Sequence, residues 1–309
     1  MIKDSKDALK PSKDEFYLFE GSIPDNDEMR ERTAQIERSI IKKFRRPLWS
    51  RLTRAMTDYE LLEEGDRIAV CISGGKDSML LAKLMQELQR HGNVPFELVF
   101  LIMNPGYRSE NWQLILDNAK TLGIDLTVFE SDIFEIVETV DRNPCYLCAR
   151  MRRGYLYSRA KELGCNKIAL GHHFDDVIET VLMGMLYSGK VETMMPKLHS
   201  NNFSGMELIR PMYLIREADI LAWRDYNHLR FIQCACRFTE KTTQEGQGSR
   251  RADVKRLIAQ LAADDPVIEQ NIFNSVRRVN LRTVLGYKQD GVEHSFLEAY
   301  DSWAPGGDE

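Results

Sequence analysis

The sequence predicts an α/β fold: a doubly wound, mainly parallel central sheet with helical additions at both ends. Three observations predict it. Short apolar runs rich in β-branched residues recur through the middle of the chain, at the length of buried strands. Apolar patterns of helical period lie between them. The first run ends in a glycine loop that opens a helix, the geometry that presents backbone N–H groups to a phosphate.

Residues 1–28 are rich in Asp, Glu, Lys and Ser and read as a flexible or loosely docked arm. Residues 29–60 read as a basic helical segment broken at Pro47. In it Arg30, Arg32, Arg38, Lys42, Lys43, Arg45, Arg46, Arg51 and Arg54 face only Glu31 and Glu37 before residue 55. This is either a surface for RNA phosphates or a solvated amphipathic face. The main domain is expected over 61–237. Its first strand is Ile68–Ile72, followed by the loop Ser73–Ser78 and a helix carrying Met79, Leu80, Leu81, Leu84, Met85 and Leu88. Phe96–Met103 is the second strand, stopped by the turn Asn104-Pro105-Gly106. A helix over Asn111–Leu122 and a third strand over Ile124–Phe129 follow. Lys167–Leu170 is the fourth strand, 177–187 an apolar helix, Leu208–Met212 the last strand and Glu217–Tyr226 a helix. Beyond it, 238–309 reads as a helical extension with an acidic, loose tail from Asp290.

Composition limits the function classes. A hydrophobic content of 43% is that of a globular chain, and no apolar run is long enough to span a bilayer. The first residues lack the apolar stretch of a secretory signal, so a cytoplasmic location is expected. The formal net charge of −5 argues against nucleic-acid binding by the chain as a whole and makes local basic clusters more informative. Six cysteines in such a chain suggest metal or redox work rather than a disulfide framework.

The motifs carry the chemistry. The loop Ser73-Gly74-Gly75-Lys76-Asp77-Ser78 is not a Walker A loop, because Val70 and Asp77 stand where that pattern needs Gly and Ser/Thr. Gly74 and Gly75 allow close approach of an anion, Lys76 adds a charge, and Ser78 suits a helix cap or a phosphate donor. Cys145 and Cys148 form a Cys-x-x-Cys, which is half a metal or cluster site, a redox dithiol, or chance. The helix after it carries Arg150, Arg152, Arg153, Arg159 and Lys161 against Glu162, with Tyr155 and Tyr157 interleaved, as an RNA-binding face or a solvated one would. Gly171-His172-His173-Phe174-Asp175-Asp176 follows a strand. Its spacing does not match the zinc helix His-Glu-x-x-His. An Asp there suits Mg²⁺ on phosphates, or simply the first turn of a helix. Cys234 and Cys236 supply a second source of thiols, whereas Cys71 and Cys165 lie on or beside core strands and read as packing.

With these residues in view, the loop resembles that of the PP-loop ATP pyrophosphatases. The chain from about Arg46 to Arg237 resembles the TtcA-type tRNA 2-thiocytidine synthetases. The resemblance rests on Ser73–Ser78, on Pro144-Cys145-x-x-Cys148-x-Arg150-x-Arg152-Arg153-Gly154, on Gly171–Asp176 and on Cys234. It departs at Cys234-Ala235-Cys236, where the family pattern resembles Cys-x-x-Cys. The resemblance implies a PP-loop fold with about five central strands, and thiolation of an anticodon-loop cytidine with Mg²⁺ and ATP. The implied ATP site takes Ser73, Gly74, Gly75, Lys76, Asp77, Ser78, Met103, Gly171 and Asp176, with Asp77 and Asp176 as Mg²⁺ ligands. The implied [4Fe–4S] cluster is held by Cys145, Cys148 and Cys234, which leaves one iron without a protein ligand. Those cysteines, Lys76 and Asp77 are the expected catalytic residues, and Arg150, Arg152, Arg153 and Arg159 the expected tRNA contacts. The expected partners are tRNA, a sulfur donor (a cysteine desulfurase persulfide or free sulfide) and a second copy of the chain, with no membrane. Three other readings stay open: a PP-loop ATPase thiolating another nucleotide such as uridine or acting on a non-RNA substrate, a non-catalytic zinc- and RNA-binding protein, and a nucleotide-binding sensor that hydrolyses nothing.

Overall fold

A computed structural model describes residues 15–21, 26–134, 144–232 and 250–300. The chain divides into two compact units, Met1–Val177 with Met194–Ser249, and Ile178–Thr193 with Arg250–Glu309. The expected boundary at 60/61 is not a division, since residues 29–60 belong to the first unit. The reason is burial: Ile36, Ile40, Leu48 and Leu52 have no exposed surface and join the main core.

The first unit is built on a seven-stranded sheet. Its strands are β1 (Tyr17–Phe19), β2 (Arg67–Ile72), β3 (Glu97–Asn104), β4 (Leu126–Glu130), β5 (Lys167–Ala169), β6 (Lys197–His199) and β7 (Glu207–Ile209), in the order β1-β4-β3-β2-β5-β7-β6. The five central strands β4, β3, β2, β5 and β7 are parallel, and β1 and β6 are antiparallel edges. Its helices are α1 (Asp27–Ile41), α2 (Ser50–Asp58), α3 (Lys76–His91), α4 (Ser109–Leu122), α5 (Pro144–Glu162) and the start of α6 (Phe174–Ser188), followed by α7 (Glu217–Tyr226). The expected parallel sheet of five strands is therefore present. Pro47 lies in a π-helical turn, Arg45–Trp49, between α1 and α2.

Alternation along β2 divides the core. Ile68, Val70 and Ile72 face a cluster with Ile36, Met79, Ile115 and Trp223, whereas Ala69 and Cys71 face a second cluster with Tyr157 and Ala160 of α5. Each successive residue of a central strand is thus buried, which explains the continuous apolar run. The chain leaves β2 toward β3 and β4, then returns to β5 on the other side of β2. That reversal places a crevice at the carboxyl ends of β2 and β5.

The arm expected to be loose contributes an edge strand. Tyr17 pairs with Val128 and Phe19 with Leu126, and Tyr17 and Phe19 pack inward while Leu18 is 62% exposed. Three residues of alternating character are too few to register as a strand in the sequence. In the second unit, α8 (Arg250–Asp264) and α9 (Ile268–Arg277) precede a hairpin of β8 (Gly286–Gln289) and β9 (Val292–Ser295). The expected loose tail from Asp290 is corrected there: Asp290 and Gly291 both have positive φ and form the hairpin turn, an Asp-Gly signal the composition masked. Among the described residues no helix is long and apolar enough to cross a membrane.

Candidate active site

The glycine loop caps the crevice between β2 and β5. Ser73–Gly75 connects β2 to α3, and Gly75 is the N-cap of α3 with no side-chain cap bond. The amides of Lys76, Asp77 and Ser78 therefore open the helix without intrahelical acceptors, at its positive end. Gly74 has φ +80°, and a Cβ there would stand 2.5 Å from the Ile115 side chain. Both facts require glycine.

Ser78 shapes the loop. Its hydroxyl accepts the Ser73 amide at 3.1 Å and donates to the Gly75 carbonyl at 3.1 Å, with Ser73 Oγ also at 3.1 Å. The expected helix cap is thus an internal clamp: the side chain turns back across the loop. Facing it, two residues past the end of β5, is Gly171, where a Cβ would lie 3.1 Å from the Asp77 carbonyl carbon and the Ser78 nitrogen. Glycine lets the chain leaving β5 close on the first turn of α3.

The charges converge on the first turn of α3. Lys76 Nζ lies 3.1 Å from Asp77 Oδ2 and 3.1 Å from Glu217 Oε1 at the start of α7. Burial pushes the Lys76 ammonium down, but these two carboxylates outweigh it and hold it above the usual lysine range. Asp77 Oδ1 is buried and has no hydrogen-bond partner. Its neighbour is His173 Nε2 at 3.8 Å, which also lies 3.5 Å from Asp176 Oδ2. His173 is itself buried; burial alone would lower it, but Asp175, Asp176 and Asp77 raise it. Asp175 has a structural task, accepting the Glu217 amide at 2.7 Å and so fastening α6 to α7.

A cavity of 340 Å³ opens between these elements. Ser73, Asp77, Ser78, Met103, Gly171 and Asp176 line it. Arg152 enters it from α5, 3.5 Å from the Tyr107 hydroxyl and 5.8 Å from the Phe134 ring centre. Gly75 and Lys76 line a neighbouring cavity of 960 Å³ together with Glu217. The arrangement suits a nucleotide: loop amides and Lys76 for phosphates, and a wall of β2 and β3 for an apolar ring.

Residues 44–242 match the PP-loop domain family. The chain belongs to the PP-loop family. Within it, the tRNA-cytidine(32) 2-sulfurtransferase of Syntrophotalea carbinolica is 37% identical over 75% of this chain and 88% of its own length. That of Anaeromyxobacter sp. strain K is 33% identical over 77% of this chain and 81% of its own. Among solved structures, the U34-tRNA thiolase NcsA from Methanococcus maripaludis, with its [4Fe-4S] cluster, superposes with a TM-score of 0.60 at 21% identity. The superposition covers 84% of this chain and 82% of that one, and shows the shared fold.

In this PP-loop chain Cys145 and Cys148 fall in the first turns of α5, three residues apart, a spacing at which helix positions adjoin. Their side chains, and Cys234 and Cys236 altogether, lie outside the described residues. Among the described residues no group of three or more His, Cys, Asp or Glu is gathered to hold a metal. Cys71 and Cys165 are buried free thiols. Burial, and then the Cys165 sulfur, push Cys71 up to about 12, so it is inert packing as expected.

The basic residues separate into two groups. Arg150 and Arg153 are exposed on α5. Arg159 instead pairs with Glu162 at 2.6 Å and lies against the rings of Phe16 and Phe129. In the segment 30–54, Arg32 bonds the Asn227 carbonyl, Arg51 pairs with Asp219, Arg54 with Asp58, and Lys43 covers Tyr226. Much of that charge therefore serves the fold. Sequence reasoning missed Tyr107 and the Lys76–Glu217 pair, since each depends on elements brought together from far apart in the chain.

Proposed function

We propose that this chain is an ATP-dependent tRNA sulfurtransferase that converts an anticodon-loop cytidine, at position 32 as in its named relatives, to 2-thiocytidine. One observation carries the reading: the phosphate-binding loop and the helix that begins with Cys145 and Cys148 open onto the same cavity, which Arg152 enters one helical turn after Cys148.

The chemistry follows from the substrate. The C2 carbonyl oxygen of cytosine is a poor leaving group, so it attacks the α-phosphorus of ATP, and pyrophosphate departs. The amides of Lys76, Asp77 and Ser78 and the Lys76 ammonium stabilise the charge that develops on the phosphates. Sulfide then adds to C2, the C2–oxygen bond breaks, and AMP leaves with that oxygen. No net oxidation is needed when sulfur enters at the sulfide level.

The buried, unsatisfied Asp77 Oδ1 fits a cation, and one or two carboxylates with substrate phosphates are the usual Mg²⁺ site. Asp77 and Asp176 would hold Mg²⁺, which when bound neutralises and orients the phosphates. The donor set of Cys145, Cys148 and Cys234 is three soft thiolates, two of them at the start of one helix. They would hold a [4Fe–4S] cluster, which when bound offers an iron with no protein ligand as a site for sulfur. Arg152 would orient the base at the cavity mouth, with Arg150 and Arg153 on the RNA outside it.

The test is anaerobic purification with iron, sulfide and zinc analysis, paired with mass spectrometry of tRNA nucleosides from a deletion strain and its complement. Iron and sulfide in the protein, and 2-thiocytidine lost on deletion and restored by the gene, are expected. Colourless protein containing zinc, or loss of 2-thiouridine instead, overturns the reading.

A further inference from the structure

Lys76 opens α3 between two carboxylates. Its Nζ lies 3.1 Å from Oδ2 of Asp77, the next residue in the chain, and 3.1 Å from Oε1 of Glu217, the first residue of α7. Among the described residues these are the carboxylates within ion-pair distance of the ammonium. Lys76 and Glu217 line the same 960 Å³ cavity as Gly75, so the pair stands on a wall that a ligand of the loop would meet. Their side chains are only 21% and 18% exposed, so solvent screens the pair less than it would on an open surface.

Glu217 is fixed there by its backbone. Asp175 Oδ2 accepts the Glu217 amide at 2.7 Å, and the Phe174 amide donates to the Ile215 carbonyl at 2.8 Å, so the starts of α6 and α7 are fastened together. An acid in the first turn of a helix suits the helix dipole wherever its side chain points, and α7 has two. Asp219 turns its carboxylate to Arg51 of α2 at 2.6 Å and joins two helices. Glu217 turns its carboxylate to the lysine of the phosphate-binding turn.

Asp77 faces two demands. Its Oδ2 holds Lys76, while its Oδ1 is buried without a hydrogen-bond partner and fits a cation. An ammonium on one oxygen and a metal cation on the other are like charges a few ångströms apart, and each weakens the other's hold. Glu217 relieves this conflict. It gives the ammonium a second counter-charge on a separate helix, so Lys76 can loosen from Asp77 and still stay at the turn. A lysine stem is flexible and its ammonium has three donors. Two carboxylates fix its place and leave a donor for a phosphate oxygen.

We propose that Glu217 is a positioning residue for the ATP-dependent step: it keeps the Lys76 ammonium at the phosphate-binding turn and so frees Asp77 for the magnesium ion of Mg-ATP. The inference deepens the sulfurtransferase reading and rests on it.

The experiment titrates ATP against the full chain, without RNA, at a series of Mg²⁺ concentrations. The parent is compared with Glu217→Gln, Lys76→Met and the double variant. In Glu217→Gln the Mg²⁺ concentration that half-saturates ATP binding is expected to rise roughly tenfold, a coupling of the size found within one charge network. In the Lys76→Met background the same change should move that concentration by less than about twofold, because the ammonium through which Glu217 acts is gone. Where affinity is too weak to titrate, ATP-induced shifts in melting temperature read the same midpoint. If Glu217→Gln does not fold, Glu217→Ala, the residue helices accept best, takes its place. An unchanged Mg²⁺ requirement in a Glu217 variant of a parent that binds ATP overturns the role of Glu217 alone. A rise of equal size with and without Lys76 means that the carboxylate acts on the cation directly, and overturns the positioning. Tighter ATP binding at every Mg²⁺ concentration means that Glu217 merely repels the phosphates, and overturns it too. A parent that binds no ATP with Mg²⁺ overturns the sulfurtransferase reading and this inference with it.

Discussion

Gly171, two residues past the end of β5, abuts Asp77, in the first turn of α3, so closely that a Cβ on the glycine would stand 3.1 Å from the Asp77 carbonyl carbon. The contact is with backbone on both sides and has no flexible side chain to absorb a displacement. Gly171→Ala should push the end of β5 away from the phosphate-binding turn. We expect a loss of roughly 1–3 kcal/mol of stability, the usual cost of overpacking, with weaker ATP binding. Thermal melts and an ATP titration check it; a variant that melts and binds like the parent refutes the close approach.

Ser78 closes the loop through its hydroxyl, which serves both the Ser73 amide and the Gly75 carbonyl. Ser78→Ala leaves that amide without its acceptor. The expected cost is about 1–3 kcal/mol, with ATP affinity lowered roughly tenfold as the loop loosens. Ser78→Thr keeps the hydroxyl and should recover part of both. Equal losses in the two variants would point to the added or missing volume rather than the hydrogen bonds.

Asp77 carries a buried carboxylate oxygen with no hydrogen-bond partner. Asp77→Asn keeps the size and removes the charge. If that oxygen meets a cation, pyrophosphate release in the presence of tRNA should fall by roughly 100-fold, with tRNA binding retained. The release assay across a Mg²⁺ titration tests this; a normal Mg²⁺ dependence in the variant excludes Asp77 as a ligand.

Cys145 and Cys148 begin α5, an element separate from the loop Ser73–Ser78 whose amides would bind phosphate. Cys145→Ala should therefore abolish 2-thiocytidine formation and lower the iron content, while ATP binding stays within about twofold of the parent. Full activity in that variant removes the cluster from the mechanism.

Glu37 of α1 lies 2.7 Å from Lys83 Nζ of α3, whose side chain has no exposed surface, and 2.8 Å from Arg90. Burial raises the Glu37 carboxyl, but Lys83 and Arg90 outweigh it and hold it below the usual range. A depressed carboxylate stabilises the fold above its unfolded value and loses that contribution as pH falls through its folded one. Glu37→Gln should cost about 3–5 kcal/mol at neutral pH, as the loss of one partner in a buried pair does. The gap between parent and variant should close as pH drops below 4.5, the ordinary value for the group. Melting curves from neutral to acid pH check it, and a gap independent of pH excludes the ionised pair.

Local chemistry determined much of this protein. The apolar run Ile68–Ile72 is buried on both faces and so declares a central strand by itself, and the six residues after it declare the loop. The spacing of Cys145 and Cys148 and the glycine at 171 were legible for the same reason: each is a demand made over a few consecutive residues. The edge strands β1 and β6 were not legible, because three residues carry too little pattern and gain their hydrogen bonds from a neighbour distant in the chain. Tertiary structure alone decided where charge goes. Arg159 and Arg51 look like RNA contacts in sequence, but Arg159 lies against the rings of Phe16 and Phe129 and Arg51 pairs with Asp219, while Lys76 meets Glu217 across 141 residues. A side chain's role depends on whether folding brings it an opposite charge, and that is a property of strand order, not of spacing.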